Sequence, residues 1–384
     1  MKIAYVTIYD SKDIHVWSGL TAHIARAIAA GGDVELYYID NLFQKNKGLL
    51  YYFQGFKKVL WQKLGKKYDH KRSPALLKKF ARTITGELRP GTDVIFSDSS
   101  LPMAYLDTPI PMVMYSDATF AGLLGFYTSA SDMVPGMIKK ANVIEHRALQ
   151  ACSLLLYSSD WAARTAVTHY GVDREKIRVV PFGANLEEDK STGVVKAMID
   201  QRTTSSVCNL LFIGVDWERK GGDFALKVAA ELNTLGVDVR LQIIGARNMP
   251  ALTLPSYVTN YGFISKSTAE GKAKLNQLMA EAHFLLMPTR ADCTPLVFSE
   301  AGSFGVPSIT NAVGGIPSII TNDINGFAFP AGSTPGDYAQ YIQKVFRDRE
   351  RYKTMCLHSL QEYEERLNWE TTGKSIVRLL NDIR

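Results

Sequence analysis

The sequence predicts an α/β protein of two domains, each built on a parallel sheet. Short apolar runs typical of buried strands alternate with longer segments whose apolar residues recur at helical spacing. The chain opens in this order, with a strand over 2–8, a glycine-containing loop, a helix over 21–30 and a strand over 34–39. Its length of 384 residues exceeds what a single hydrophobic core usually serves, which favours two domains.

Composition and charge narrow the class of protein. Hydrophobic residues make up 46% and charged residues 21% of the chain, as is usual for a folded soluble protein. The four cysteines form no Cys-x-x-Cys pair, which argues against a zinc site or a disulfide framework and favours a reducing compartment. The start, MKIAYVTIYD, is too polar for a signal peptide, and no apolar run reaches the roughly 18 residues of a membrane span. We therefore expect a cytoplasmic protein, peripheral at most on the inner face of a membrane.

One segment is strongly basic. Residues 44–89 carry thirteen Lys and Arg against two acids, a balance of +11, which leaves about −5 of the net +6 for the rest of the chain. Within it, LLYYFQGFKKVLWQKLGKKYDHKR predicts an amphipathic helix or helical pair with a cationic face. Three interpretations stay open: a surface helix with solvated lysines, a contact with an anionic membrane surface, and a nucleic-acid site. The last is disfavoured because no recognition fold or base-stacking motif accompanies the charge.

The most informative stretch is FLLMPTRADCTPLVFSEAGSFGVPSITN, residues 284–311. It predicts a buried strand, a polar turn, a helix opened by Thr294 as N-cap and Pro295 in the first turn, and a further strand. A helix N-terminus offers unpaired N–H groups to an anion. Glu300 lies eight residues after Asp292, about two helical turns along. For a lone Glu the alternative is a solvated surface residue, but small residues follow it and permit close approach of a ligand.

A second loop, GVDWERKGG, follows a predicted strand over 209–213 and leads into a helix. Gly214 opens the loop, and its backbone N–H groups with the cations Arg219 and Lys220 suit a diphosphate at a helix N-terminus. It is not a Walker loop, because the Gly-x-x-x-x-Gly-Lys-Ser/Thr pattern is absent. The alternative is a βα loop whose cations are merely solvated.

Together these two loops resemble the signature of the retaining glycosyltransferase family 4, part of glycosyltransferase group 1. Asp292 and Glu300 stand at the positions of its two carboxylates, with seven residues between them and a Gly-x-Pro behind them at Gly305. Lys220-Gly221 matches the Lys-Gly of the diphosphate loop of that family.

The chain departs from the family pattern at three positions. Asp292 stands where Glu is usual, Val215 where Arg is usual, and Asp117, at the end of a predicted strand over 111–115, where family members often carry His. Arg219 is a candidate for the missing positive charge. Asp117 is a candidate to orient the acceptor or act as a base, with the capping of the following helix as the alternative.

The resemblance implies a GT-B fold, that is, two facing Rossmann-like domains with a C-terminal crossover helix. We expect residues 1–186 to form an acceptor-side domain and residues 187–206 a linker. Residues 207–368 then form the nucleotide-sugar domain, and 369–384 a helix that packs back on the first domain.

The implied activity is a metal-independent, retaining, hexosyltransferase-type glycosyltransferase (enzyme class 2.4). It moves a sugar from a nucleotide diphosphate sugar, with a UDP-sugar as the expected donor and no further cofactor, to a hydroxyl acceptor. The implied catalytic residues are Asp117, Asp292, Arg219 and Lys220. The implied donor-binding residues are Gly19, Gly214, Arg219, Lys220, Phe263, Ile264, Cys293, Thr294, Leu296 and Glu300.

Within this class the acceptor and the exact reaction stay open. The basic segment 44–89 favours a lipid-linked or glycan acceptor at an anionic membrane surface, as in polysaccharide, glycan or glycolipid assembly, and nucleic acid is not an expected partner. Two alternatives to a working transferase are a catalytically weakened sugar-nucleotide-binding paralogue acting as a scaffold, and a GT-B sugar-nucleotide epimerase.

Overall fold

The computed structural model describes residues 1–13, 16–127, 132–186 and 190–383. The chain folds into two compact units. The first combines Met1–Phe182 with Trp369–Arg384, and the second is Gly183–Asn368. Each has its own hydrophobic core beside a parallel sheet, as the alternation of strand and helix patterns predicts.

Within the described residues, the first unit contains a six-stranded parallel sheet in the order β2-β1-β3-β4-β5-β6. The inner strands β1, β3, β4 and β5 are largely buried and apolar because both faces are covered, as parallel sheets require, whereas the edge strands β2 and β6 expose some residues. The strands are β1 Lys2–Val6, β2 Glu35–Ile39, β3 Val94–Ser97, β4 Met112–Ser116, β5 Leu154–Tyr157 and β6 Ile177–Val179.

Eight α-helices of the described residues belong to this first unit, and the last of them comes from the end of the chain. Helix α15 packs on α1 so closely that a Cβ on Gly373 would lie 2.1 Å from the carbonyl oxygen of Ala27, so only glycine fits there. The helices are α1 Leu20–Ala30, α2 Leu42–Lys45, α3 Leu49–Lys63, α4 Pro74–Glu87, α5 Phe120–Leu123, α6 Met137–Ala151, α7 Asp160–Tyr170 and α15 Trp369–Asn381.

The second unit repeats this plan with a six-stranded parallel sheet, among the described residues, in the order β12-β11-β10-β7-β8-β9. The strand order reverses between β7 and β10, and open α/β sheets bind ligands at such a point, beyond the carboxyl ends of the strands. The strands are β7 Cys208–Ile213, β8 Val239–Ile244, β9 Val258–Asn260, β10 Phe284–Met287, β11 Ser308–Asn311 and β12 Gly326–Phe329.

The helices around the second sheet include one that the sequence did not predict. They are α8 Thr192–Thr203, α9 Trp217–Lys220, α10 Gly222–Thr234, α11 Ala269–Glu281, α12 Leu296–Gly302, α13 Pro335–Arg347 and α14 Arg349–Arg366.

The expectation of a linker over 187–206 is wrong for most of its length, although residues 187–189 lie outside the described residues. Helix α8 occupies this stretch and packs against α14. It buries Val195, Ile199 and Arg202, and the guanidinium of Arg202 donates to the carbonyls of Ala280, at 2.9 Å, and Phe304, at 2.9 Å. The inward face of α8 is hard to recognise in the sequence, because the charge of the buried Arg202 interrupts the apolar pattern.

No helix among the described residues has the length and apolar character needed to cross a bilayer.

Candidate functional site

The loop after β7 brings two cations to the carboxyl edge of the second sheet. Asp216 begins the short helix α9, because its carboxylate accepts the backbone N–H of Arg219 at 3.1 Å. Gly221 then adopts a left-handed conformation, with φ at 77°, and lets α10 start in a new direction. A Cβ at Gly214 would lie 2.8 Å from Cγ of Lys220, so that glycine leaves room for the lysine stem. The stem of Lys220 therefore lies against Gly214, at the start of the loop.

Arg219, Lys220 and Asp292 form one cluster, although Asp292 lies more than seventy residues further along the chain. Lys220 Nζ donates to Asp292 Oδ2, and Arg219 Nη1 lies 3.4 Å from the same oxygen. Arg219 also donates to the carbonyl of Ala291 at 2.8 Å. The side chains of Lys220 and Asp292 are 13% and 9% exposed, whereas that of Arg219 is 34% exposed. Arg219 Nε also lies 3.4 Å from Asp216 Oδ2, so two cations and two carboxylates meet at an edge that solvent reaches through the arginine.

The loop after β10 is tied to the loop after β7 by residues that the sequence analysis did not single out. Arg290 donates its backbone N–H to the carbonyl of Arg219 at 2.8 Å, and its guanidinium holds both oxygens of Asp223, each at 2.9 Å. The buried hydroxyl of Thr289 donates to the carbonyl of Arg219 at 3.1 Å. Because bidentate pairing fixes geometry, Arg290 is a positioning residue for the cluster. Only its place directly after an apolar strand could have signalled this role.

Helix α12 carries Glu300 but begins later than the sequence predicted. Its first residue is Leu296, it is flanked by Pro295, and no side chain caps it. Thr294 is not the N-cap, because its hydroxyl donates to the carbonyl of Cys293 at 2.7 Å. The ψ of Pro295 is 108°, an extended value outside the helical range, so the helix begins one residue later. Asp292 accordingly lies in the turn before the helix and not on it.

Glu300 is buried and ion-paired. Its Oε1 accepts from Lys266 Nζ at 2.6 Å; the carboxylate side chain is 9% exposed and the lysine 58%. The solvated-surface alternative for Glu300 therefore does not hold. Lys266, from the loop between β9 and α11, was not expected at this position, since nothing in its own sequence neighbourhood points to α12.

Phe263 and Ile264 lie in the same loop, just after β9, which ends at Asn260. Phe263 is exposed, and the guanidinium carbon of Arg247 lies 4.6 Å from its ring centroid. The backbone N–H of Arg247 donates to the carbonyl of Val215 at 3.2 Å. Arg247 therefore adds a third cation beside the loop after β7, in the neighbourhood of the position where the family pattern has an arginine.

Gly19 and Asp117 belong to the first unit, at the carboxyl ends of β1 and β4. Gly19 precedes α1 with φ at 81°, after two further left-handed residues, Trp17 at 48° and Ser18 at 55°. Such strain is stored where the surrounding structure fixes a loop. Asp117 is half-buried and does not cap the following helix, because Thr119 accepts the N–H of Gly122 there.

A buried carboxylate, Asp98, fixes the edge of the first sheet near Gly19. Its Oδ2 accepts from the hydroxyls of Thr7, at 3.1 Å, and Thr21, at 2.6 Å, so it joins the ends of β1 and β3 to the start of α1. Burial raises the pKa of Asp98 to about 6. No pattern in the sequence singles out Asp98.

No cluster of three or more His, Cys, Asp or Glu side chains that could hold a metal ion occurs among the described residues. The second unit offers paired charges: cations able to take up an anion, and carboxylates able to accept hydroxyl hydrogens.

Comparison with known proteins agrees with this geometry. Residues 208–348 match the family model described as glycosyl transferases group 1. The D-inositol 3-phosphate glycosyltransferase of Pseudarthrobacter chlorophenolicus is 25% identical over 218 residues, which are 55% of this chain and 51% of that protein. That of Geodermatophilus obscurus is 25% identical over 255 residues, 62% of this chain and 54% of that protein. The chain thus aligns with about half the length of the curated relatives it matches.

Solved structures share the whole fold at low identity. Sucrose-phosphate synthase from Thermosynechococcus elongatus matches with a TM-score of 0.66 and 14% identity over 100% of this chain and 98% of that one. HepE of Anabaena, crystallised with UDP-glucose, matches with a TM-score of 0.61 and 16% identity over the whole of both chains. WaaG, a glycosyltransferase of lipopolysaccharide biosynthesis, matches with a TM-score of 0.63 and 15% identity over 98% of this chain and 99% of that one. The fold is that of the GT-B glycosyltransferases, and residues 208–348 match the group 1 glycosyl transferases.

Proposed function

We propose that this protein transfers a sugar from a nucleoside diphosphate sugar to a hydroxyl group of an acceptor. The observation that carries the proposal is the cluster of Arg219 and Lys220 around Asp292 at the carboxyl edge of the second sheet. Two cations next to a glycine-rich turn suit a diphosphate, whose negative charge would replace that of Asp292 as their partner. The family match over residues 208–348 includes this loop.

The cations are expected to act on the rate as well as on binding. When the sugar–phosphate bond breaks, the departing nucleotide gains negative charge. Groups already fixed around that position, here Arg219 and Lys220, stabilise the transition state more than the bound donor. Their hydrogen bonds to Ala291 and Asp292 hold them in place before the donor arrives. This positioning reduces the reorganisation that the reaction requires.

The remaining donor contacts follow from the neighbouring loops. We propose that Glu300 accepts hydrogen bonds from the ribose hydroxyls and that the sugar lies against Asp292 and the backbone N–H groups of Cys293, Thr294 and Leu296. Pro295 supplies no N–H. The base is assigned to the loop after β9, where Phe263 offers an exposed ring. Gly214 leaves room for Lys220. Gly19 is proposed as a further donor contact.

A UDP-sugar is the donor that we propose, because the HepE structures contain UDP and UDP-glucose. The curated relatives are named for D-inositol 3-phosphate, so a phosphorylated or otherwise anionic acceptor is a reasonable class for this chain as well. Polysaccharide, glycan or glycolipid assembly would supply such an acceptor. All four cysteines are buried and free, which supports a cytoplasmic location in a reducing compartment.

Retention of configuration without a metal ion is part of the proposal. The described site offers no carboxylate pair suited to a covalent intermediate, so the leaving phosphate is proposed to take the acceptor proton during a front-side substitution. Asp117 is proposed to orient the acceptor hydroxyl. Asp117→Asn should then lower kcat while the affinity for UDP stays at the wild-type value. An unchanged kcat would remove Asp117 from the mechanism.

Titration calorimetry with UDP, GDP and ADP, followed by turnover of the matching sugar nucleotides, tests the donor assignment. Replacing both Arg219 and Lys220 by Met should weaken nucleotide binding by more than about tenfold, since each hydrogen bond to a charged group contributes roughly 1.5–3 kcal/mol. Lys227→Met, an exposed position on α10, is the matched control and should bind like the wild type. Binding without any turnover would favour the scaffold alternative, and equal binding by the double variant would contradict the proposal.

A further inference from the structure

Helix α3 exposes its apolar face. Large apolar side chains recur along it at spacings of three and four residues, and all of them are 47–89% exposed. Within the described residues, half of the large apolar side chains that reach solvent lie in this single segment. We call these residues the apolar stripe: Leu49, Tyr52, Phe53, Phe56, Val59, Leu60 and Leu64. A surface helix of a soluble domain ordinarily directs such a stripe into the core, so its exposure indicates an interaction site.

The opposite face of α3 already has its partners in the first unit. Gln54 is buried and accepts from the hydroxyl of Tyr68 at 2.6 Å. Trp61 packs against a cluster of buried residues that includes Phe120 and Met137. The helix therefore packs on the first unit through its less apolar side. The apolar stripe takes no part in that packing.

The segment is also anchored after the helix ends. The backbone N–H of Lys67 donates to the carbonyl of Asp132 at 2.6 Å, and the carbonyl of Lys67 accepts from Val134 at 3.1 Å. These bonds fix the end of the segment to the body of the unit. The apolar stripe is therefore presented from a fixed base.

Positive charge borders the apolar stripe. The ammonium of Lys57 lies 4.6 Å from the ring centroid of Phe53, and Lys63 ends the helix next to Leu64. Lys66 and Lys67 follow directly, within a segment whose balance is +11. Long lysine stems can lie along apolar surface while their charges reach outward, which is the arrangement of helices at a lipid headgroup boundary.

We propose that the apolar stripe docks this protein on an anionic lipid bilayer, with its aromatic and aliphatic side chains in the headgroup–acyl boundary. The lysines then lie at the level of the anionic headgroups, which attract them. A second copy of the chain is a poor occupant, because its stripe would bring a second segment of +11 against the first. Lipid binding is proposed independently of the transferase activity. The two are tested separately, because nucleotide binding is measured without lipid.

Co-sedimentation with vesicles tests the proposal. The wild type should bind phosphatidylcholine vesicles containing 30% phosphatidylglycerol and lose most binding on pure phosphatidylcholine or in high salt. Phe53→Ser combined with Phe56→Ser should reduce binding to the anionic vesicles more than tenfold. Val143→Ser combined with Val194→Ser, at positions 58% and 49% exposed on α6 and α8, should bind like the wild type. Circular dichroism and UDP binding should be unchanged in both variants.

A fluorescent label distinguishes insertion of the stripe from charge attraction alone. Because the four native cysteines are buried, a cysteine introduced at an exposed position can be labelled selectively. With Phe56→Cys carrying an environment-sensitive dye, anionic vesicles should shift the emission to the blue. Gln62→Cys is the matched control, since Gln62 is exposed on the same helix but away from the stripe, and its emission should not shift.

Several results would overturn the inference. Equal vesicle binding by wild type and the Phe53/Phe56 variant would show that the stripe does not contact lipid. A concentration-dependent dimer in light scattering that the same variant abolishes would assign the stripe to a second copy. Tight binding of an RNA or DNA oligonucleotide with no binding to vesicles would assign the segment to nucleic acid.

Discussion

Lys266 is the residue whose position bears most directly on donor binding. Its ammonium occupies Oε1 of Glu300, the carboxylate assigned to the ribose hydroxyls, at 2.6 Å. The donor and Lys266 therefore compete for the same acceptor. Because Lys266 is largely exposed, solvent screens the pair and its contribution is small, roughly 0.2–1 kcal/mol.

Lys266→Met should accordingly tighten UDP binding by up to about fivefold, the equivalent of roughly 1 kcal/mol. Titration calorimetry measures the change, with Lys227→Met, at an exposed position on α10, as control. A wild type that binds no nucleotide would refute the donor site itself. Weaker binding by Lys266→Met would instead show that Lys266 contacts the donor and does not compete with it.

Residues of the site differ in how far the sequence could predict them. Lys220, Asp292 and Glu300 are predicted by the resemblance of two local motifs, each of which lies within one strand–loop–helix unit. Arg290, Arg247 and Lys266 reach the site through contacts between loops that are distant in sequence. Their side chains carry the same charge as many solvated residues, so no local pattern separates them.

At the scale of elements, the turn at Gly221 determines where both cations lie. Its φ of 77° favours glycine, and a Cβ there would lie 2.1 Å from the carbonyl oxygen of Pro288. Gly236 has a similar φ of 73° but open space around its Cα. Substitutions at the two glycines therefore distinguish the effect of backbone strain from the effect of steric contact with the loop after β10.

Gly236→Ala should lower the free energy of unfolding by about 1 kcal/mol through strain alone and leave nucleotide binding unchanged. Gly221→Ala should cost more stability, because the loops must also separate, and should weaken UDP binding by at least tenfold. Urea unfolding and calorimetry measure the two effects. If both variants bound UDP like the wild type, the turn would not position the cations.

The elements also show which sequence patterns are reliable. Apolar runs such as Phe284–Met287 predict the strands correctly, because a strand covered on both faces has no polar side. The sequence predicts a linker where helix α8 lies, because the charge of Arg202 interrupts the apolar pattern of its inward face. Periodicity predicted an amphipathic α3, but it could not say that the apolar side faces outward, because that depends on what the rest of the unit packs against.

At the scale of the whole molecule, the two units are expected to respond to pH in opposite directions. In the first unit, burial raises the pKa of Asp98 to about 6, so folding favours its protonated form. The stabilisation is complete below the unfolded pKa near 4 and is lost as pH rises through 6. In the second unit, burial lowers the pKa of His283 to about 4. Its contribution is complete above the unfolded pKa near 6.5 and is lost as pH falls through 4.

Asp98→Asn should therefore gain stability relative to the wild type as pH rises from 4 to 7, on the order of 2–3 kcal/mol for a shift of about two pKa units. His283→Gln should show the reverse, with its relative stability improving as pH falls from 7 to 4. In the wild type Nδ1 of His283 accepts the N–H of Asn209 at 3.1 Å, a bond that protonation removes. Urea unfolding at four pH values measures both differences, and pH-independent differences would contradict the assignment.

The central claim is that a diphosphate takes the place of Asp292 as the partner of Lys220 and Arg219. A crystal structure of the protein with UDP tests it most directly. We predict β-phosphate oxygens within about 3 Å of Lys220 Nζ and of the Arg219 guanidinium, with Asp292 no longer sharing the lysine. A nucleotide bound elsewhere, with the Lys220–Asp292 pair intact, would contradict the account.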